Sequence, residues 1–296
     1  MKIYHSSLTK DAAIRYRKLK PDEKLHALIS YGRRDKHSAY FLVKNREILN
    51  GLILDSGTWT LNNNPTELKD VITLEGYRAY VNNFEPNLDF YFNFDEDFSK
   101  NGFKRNFGNQ LNLERSGLSP IPVVHDCYSN EISRYMARGH KLIAIGSGEL
   151  KFASLDDLRM IVQGPYRAGV KVHFLGTTSF EKLAYIPVYS CDASTWGHQS
   201  ARGNVFYWNP LKRGYKKIEK ITFYDILPTR LRKNPIDNYR YKREFAAYIG
   251  EELGFTIDDL RGKEGLANRE VANLHFFAQL EKIINQKHDE QGFEFD

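Results

Sequence analysis

Cysteine is scarce in this 296-residue chain: only Cys127 and Cys191 are present. They fall in separate strand-like segments and form no Cys-x-x-Cys pair. That argues against a disulfide framework and against a cysteine-based zinc site, and makes a reducing cytoplasm the expected compartment. No run of about 18 apolar residues occurs, so no membrane association is expected. The opening stretch MKIYHSSLTKDAAIRYRKLK lacks the apolar middle region of a secretory signal. Internal repeats and low-complexity segments are absent too. Acidic residues are sparse in one region only. From Lys212 to Arg243 there are eleven Lys and Arg against Glu219, Asp225 and Asp237, an excess larger than the net +6 of the whole chain.

Apolar residues make up 41% of the sequence, enough for a large core. They recur in short runs bounded by Gly, Pro, Asn or charge. The candidate strands cover residues 1–5, 26–32, 51–57, 88–97, 121–126, 141–148, 171–177 and 187–192. Between them, SLTKDAAIRYRKL, TLEGYRAYVNNF, SNEISRYMARGH (with a cap at Ser129) and SLDDLRMIVQGPYRAG carry capping residues and helical spacing. Strand–helix alternation with near-continuous apolar strands means a parallel sheet. Eight such strands make a closed (β/α)8 TIM-type barrel over 1–205 the economical fold, with a doubly wound open sheet as the alternative. After about residue 205 the pattern changes. NVFYW and KKIEKITFYDIL read as a hairpin, and PIDNYRYKREFAAYIGEELG and ANREVANLHFFAQLEKIINQ as two amphipathic helices. Residues 206–296 are thus expected to form a basic appendage packed on the barrel. In it, Lys212, Arg213, Lys216, Lys217, Arg230, Arg232 and Lys233 are interleaved with Tyr215, Tyr224, Tyr239 and Tyr241. That pattern suits a phosphate backbone with stacked bases, or equally a solvated surface.

In such barrels chemistry sits where the strands end. Here those ends supply Asp55, Asp95 with Glu96 and Asp97, His125 with Asp126, Gly146 and Gly148, His173, and Asp192. Several carboxylates on one rim repel one another and raise each other's pKa, which a merely structural rim avoids. Taken singly, each would also serve as a helix cap. Together they fit substitution at a sugar anomeric carbon, which needs an anionic nucleophile and a group that protonates the leaving group. The metal-site alternative, His125 with His173 and Asp192, resembles an amidohydrolase centre. It lacks the paired histidines of a first strand, where His5 stands alone, so neither metal nor cofactor is expected.

These motifs resemble the queuine/archaeosine tRNA-guanine transglycosylase superfamily. LILDSGTWT is similar to its DSGG-type motif, FNFDE to its strand-four aspartate motif, and IPVVHD, IAIGSGE and VHFLG follow in the family's order. YSCDASTW…ARG resembles the phage and mobile-element branch that inserts 7-deazaguanine bases into DNA. The resemblance spans roughly residues 25 to 205. It implies a (β/α)8 barrel that exchanges guanine through a covalent glycosyl-enzyme. Asp192 would be the nucleophile and Asp55 the general acid/base. Asp95 would read the purine's N1–H and exocyclic amine, and Gly146 and Gly148 would border the base. His125 stands where the family often has a glutamine facing the base, and His173 also falls among the substrate-binding positions. Arg202 is a phosphate contact or a helix cap, and Trp196 a stacking or, more simply, a packing residue.

The chain departs from the family in two respects. It lacks the cysteine-rich zinc motif of the tRNA enzymes, and the basic tail stands in its place. Ser190 occupies one alignable position of the nucleophile, with Asp192 two residues further along the same strand face. The expected partners are therefore DNA and a free 7-deazaguanine base, with a helper protein that opens the duplex, in the cytoplasm of a host cell if phage-encoded. The alternatives are the same exchange on tRNA, a non-catalytic nucleic-acid-binding barrel, and a metal-dependent hydrolase.

Overall fold

The computed structural model describes residues 1–33, 35–63, 65–68, 71–99, 101–223 and 234–295. Arg230, Arg232 and Lys233, three of the expected phosphate contacts, lie outside the described residues. The chain divides into two compact units. One comprises Met1–Lys10, Lys24–Ala193 and Ile284–Asp296, the other Asp11–Glu23 and Ser194–Ile283.

The first unit is built on eight strands: β1 (Lys2–Ser6), β2 (Leu25–Ser30), β3 (Leu49–Asp55), β4 (Phe90–Tyr91), β5 (Val123–Val124), β6 (Leu142–Ile145), β7 (Lys171–Phe174) and β8 (Ser190–Ala193). All pairings are parallel and the order is β4-β3-β2-β1-β8-β7-β6-β5. The result is a curled, TIM-like α/β sheet flanked by helices. Its ladder is interrupted between β4 and β5, where the contact is a single parallel bridge, Phe92 to Ile121. There the Asn93 N–H donates to the Ile121 carbonyl at 2.8 Å and the Ile121 N–H to the Tyr91 carbonyl at 2.7 Å. The cause is local. Ile121 lies between Pro120 and Pro122, which have no N–H to contribute to a ladder.

Strands such as LHALIS and LNGLILD are apolar on both faces because both are covered. On the inner face, Tyr4, Leu28, Ile53, Phe92, Val123 and Ala144 form one buried cluster drawn from six strand segments. Leu28, Ile53, Phe92 and Val123 each contribute about 1.5–3 kcal/mol by burial. Side chains alternate along a strand, so the inward position one step further on is Ser6, Ser30, Asp55, His125 and Gly146 on β1, β2, β3 and beyond β5 and β6. On β8 the register sets Ser190 beside His173 and Asp192 beside Tyr4, all on the inner face. With every strand parallel, these polar ends collect at one edge.

The expected helices are present, with adjusted ends. Thr73 caps Leu74–Phe84 by accepting from the Gly76 N–H, and Ser154 forms a capping box with Asp157 ahead of Leu155–Arg167. The helix after β5 starts at Glu131, with Asn130 rather than Ser129 in the cap position. The helix Phe103–Arg115, not among those expected, carries Phe103, Phe107 and Leu111 at helical spacing. It buries Asn106 and Gln110, and Gln110 Nε2 reaches the Pro120 carbonyl at 2.8 Å.

The second unit contains the antiparallel hairpin β9 (Asn204–Trp208) and β10 (Ile218–Thr222), and the helix Lys242–Leu253. The helix Gly265–Gln291 belongs to it through Ile283. Asn273 Nδ2 is shared among the Trp196 carbonyl, Ser200 Oγ and the Asn204 carbonyl at 3.2, 2.8 and 3.0 Å. Buried Arg269 donates to the Ser200 and Leu260 carbonyls. These polar ties pin the hairpin to the long helix. Trp196 is buried at 2% exposure, which makes it a packing residue. Among the described residues, no helix is long and apolar enough to cross a membrane.

Candidate active site

Three aspartates from distant parts of the first unit meet at the strand-end edge. Asp192, on β8, is buried, and both of its oxygens are engaged. Oδ1 accepts from the Gly176 N–H at 3.1 Å and faces His173 Nε2 at 3.2 Å, while Oδ2 accepts from Ser6 Oγ at 2.5 Å. Asp55, the last residue of β3, is half-buried. Its Oδ2 accepts from Ser30 Oγ at 3.0 Å and from the Gly57 N–H at 2.9 Å; no described donor meets Oδ1. Asp95 follows β4 and is buried. Its Oδ1 accepts from Thr58 Oγ1 at 3.1 Å and Ser56 Oγ at 3.3 Å, and its Oδ2 faces His125 Nε2 at 2.8 Å.

The electrostatics single out Asp55. Burial, then the charge of Asp95 and to a smaller degree that of Asp192, pushes the Asp55 carboxyl up to about 7, although the Ser30 and Gly57 hydrogen bonds oppose the rise. Asp55 therefore exchanges its proton near neutrality. For His125, burial works against the imidazolium. The hydrogen bond and charge of Asp95, reinforced by Glu131 and Glu149, outweigh it and hold the pKa above the ordinary histidine value. Phe98 stacks on the His125 ring, centroids 4.9 Å apart.

The backbone after β3 explains the DSG sequence. Gly57 has φ +80°, and a Cβ there would lie 2.3 Å from the Gly32 nitrogen, so only glycine fits. That conformation aims its N–H at Asp55 and brings Ser56 and Thr58 to Asp95. Near Gly146 a Cβ would sit 3.1 Å from His125 Nδ1, whereas around Gly148 nothing stands within 4 Å. Gly146 is thus confined by the histidine, and Gly148 borders open space.

The structure brings together Asp55, Asp95, His125, Gly146, His173 and Asp192 of the expected set. His173 is fully buried, with its Nε2 facing Asp192 Oδ1. No family model matches the chain, and no curated protein matches it. The site has to be read from its own geometry. Among the described residues no three His, Cys, Asp or Glu side chains are grouped to hold a metal ion. His125 and His173 each face a different carboxylate, and His5 points its Nδ1 at the His26 carbonyl, 2.9 Å away.

Sequence reasoning passed over Ser6, Ser30, Ser56, Thr58 and Gly176. A signal was present for the first two. Each is a small hydroxyl at the last inward position of an otherwise apolar strand, where an aliphatic residue would continue the pattern.

In the second unit, Lys212 pairs with buried Glu219 at 2.5 Å, and Glu219 also accepts from Asn209 Nδ2 at 2.6 Å and the Tyr239 hydroxyl at 2.7 Å. Lys212 is thereby neutralised. Arg213 and Lys216 are exposed, and Lys217 lies over the Trp208 ring at 5.6 Å. A cleft of about 630 Å³ is lined by Lys212, Arg213, Lys216, Ile218, Glu219, Lys220 and Asn234. Arg202 is exposed at the C-terminal cap of Thr195–Ala201.

Proposed function

We propose that this protein is a guanine transglycosylase that exchanges a guanine in DNA for a free 7-deazaguanine, at the strand-end site of a (β/α)8 barrel. The observation that carries the reading is the meeting of three carboxylates in three different hydrogen-bonding settings. A carboxyl poised near pH 7 stands beside two that are tied to hydrogen-bond donors. Pushing the proton affinities of neighbouring carboxyls apart is how one site holds both an acid and a nucleophile.

In this reading Asp192 Oδ2 attacks C1′ of the target nucleotide, and the bond from C1′ to N9 breaks with its electron pair going to the base. Asp55, protonated at Oδ1, donates its proton to the departing guanine. The incoming deazaguanine then loses its ring N–H proton to the Asp55 carboxylate and attacks C1′. The ester to Asp192 breaks and the carboxylate is restored. Asp95, held by Ser56, Thr58 and His125, keeps acceptor capacity on Oδ2 for the amine edge of the purine. The exposed Arg213 and Lys216 support a polyanionic substrate.

A serine hydrolase is the reading that Ser190, His173 and Asp192 would otherwise invite. The order is reversed for it, because Ser190 and His173 are fully buried and Asp192 is the member nearest solvent.

Incubation with labelled guanine and either DNA or tRNA tests the proposal. Exchange into DNA is expected. Asp192→Asn should abolish it, along with any covalent adduct on a denaturing gel. Adduct formation by that variant, or label entering tRNA alone, would contradict the proposal.

A further inference from the structure

The imidazole beneath Asp192 has a more specific place in the chemistry than its burial alone suggests. His173 has 0% exposure and is surrounded by rings: Phe92 at 4.9 Å, Phe90 at 6.0 Å and Tyr4 at 6.2 Å between centroids. Only its two nitrogens meet polar atoms. Nδ1 lies 2.8 Å from Ser190 Oγ, and Nε2 lies 3.2 Å from Asp192 Oδ1. A carboxylate only accepts, so Nε2 carries a proton. A serine hydroxyl both donates and accepts, and it serves a neutral imidazole by donating to Nδ1. As a donor, the ring orients the carboxylate.

The two oxygens of Asp192 are consequently unequal. Oδ1 takes the Gly176 N–H and the His173 N–H, which fills both of its lone pairs. Oδ2 takes Ser6 Oγ and, among the described residues, nothing else. We infer that His173, set in its Nε2–H tautomer by Ser190, is a positioning residue that immobilises Oδ1 of Asp192 and leaves Oδ2 as the attacking oxygen. The inference rests on the transglycosylase reading for the word "attacking", and on geometry alone for the tautomer and the clamp. It also accounts for Ser190 and Asp192 sharing one face of β8, two residues apart. They grip opposite nitrogens of the same ring.

The test uses the full chain labelled with 15N-histidine. Two-bond nitrogen–proton spectra should show His173 as a single Nε2–H tautomer, its signals assigned by their loss in His173→Phe. Ser190→Ala should turn that into a mixture of tautomers. In exchange assays His173→Phe, which keeps the ring volume, should lower kcat by about 100-fold, the upper end for a residue that orients another. The KM values for nucleic acid and base should move less than about threefold. His173→Gln can place an N–H where Nε2 was, and should recover at least about tenfold of that loss. A wild-type Nδ1–H tautomer would overturn the proposal, as would a kcat for His173→Phe within about threefold of wild type. Should His173→Phe fail to fold, the Ser190→Ala spectrum and the His173→Gln rate decide. A wild-type protein that exchanges no base into either polymer would sink the transglycosylase reading, while the spectra would still decide the clamp.

Discussion

Asp192 at the end of β8 receives donors on both oxygens, from Ser6, His173 and Gly176, whereas Asp55 at the end of β3 receives two donors on Oδ2 alone. Asp55 also stands in the field of Asp95 and Asp192. The difference shows how one curled sheet gives the same side chain two different settings. A carboxylate with donors on both sides is held in one orientation. One that is buried beside other anions, with one oxygen bare, keeps its proton until the pH approaches neutrality.

The largest effect expected from breaking this contrast follows Asp55→Asn. Base exchange should fall by about 10³-fold, the range for loss of a general acid/base. Stability should move the other way. The Asp55 pKa is raised to about 7 in the folded protein. Its contribution to stability is therefore full below about pH 4 and is lost as the pH rises through about 7. Asparagine has no such loss, so in urea titrations the variant should match wild type at pH 4 and exceed it by about 2–4 kcal/mol at pH 8. A constant difference across that range would break the contrast.

Asp95→Asn should come next, raising the KM for guanine by about 10–100-fold through loss of a charge-assisted pair. DNA affinity should be unchanged in a filter-binding assay. Matched glycine variants sharpen the comparison at the backbone. Gly57→Ala puts a Cβ 2.3 Å from Gly32, whereas Gly176→Ala, also at positive φ, approaches only Ser147 at 3.2 Å. Thermal unfolding should show a cost of about 3 kcal/mol or more for the first and about 1 kcal/mol for the second. The smallest effect belongs to the second unit. Replacing Arg213 or Lys216 with Ala should weaken DNA binding about threefold and reduce the slope of log K against log salt by just under one. The chemical step should not change.

Much of this was legible in the residue order. All eight strands lie within or beside the apolar runs that announce them, and Asp55, Asp95, His125 and Asp192 were marked by standing where those runs stop. The helix Phe103–Arg115 was not read from the residue order, although Phe103, Phe107 and Leu111 stand at helical spacing; it buries the amides Asn106 and Gln110 beside Leu113. Nor was the break in the ladder at Ile121, although the two flanking prolines contain its cause. The burial of His173 was not legible either. An inward histidine near a strand end gives no sign of its depth until the register sets it beside Ser190.

By itself, the sequence determined the alternation of strands and helices, the parallel sheet and the identity of the acidic residues. Those follow from short-range physics: apolar periodicity, capping residues, and the absence of N–H on proline. Only the tertiary structure decided which donors meet each aspartate oxygen, that the Asp55 carboxyl is pushed toward neutrality, and which histidine faces which aspartate. Those properties depend on distances between side chains as far apart in sequence as Ser6 and Asp192, and on the low-polarity surroundings that packing creates around them.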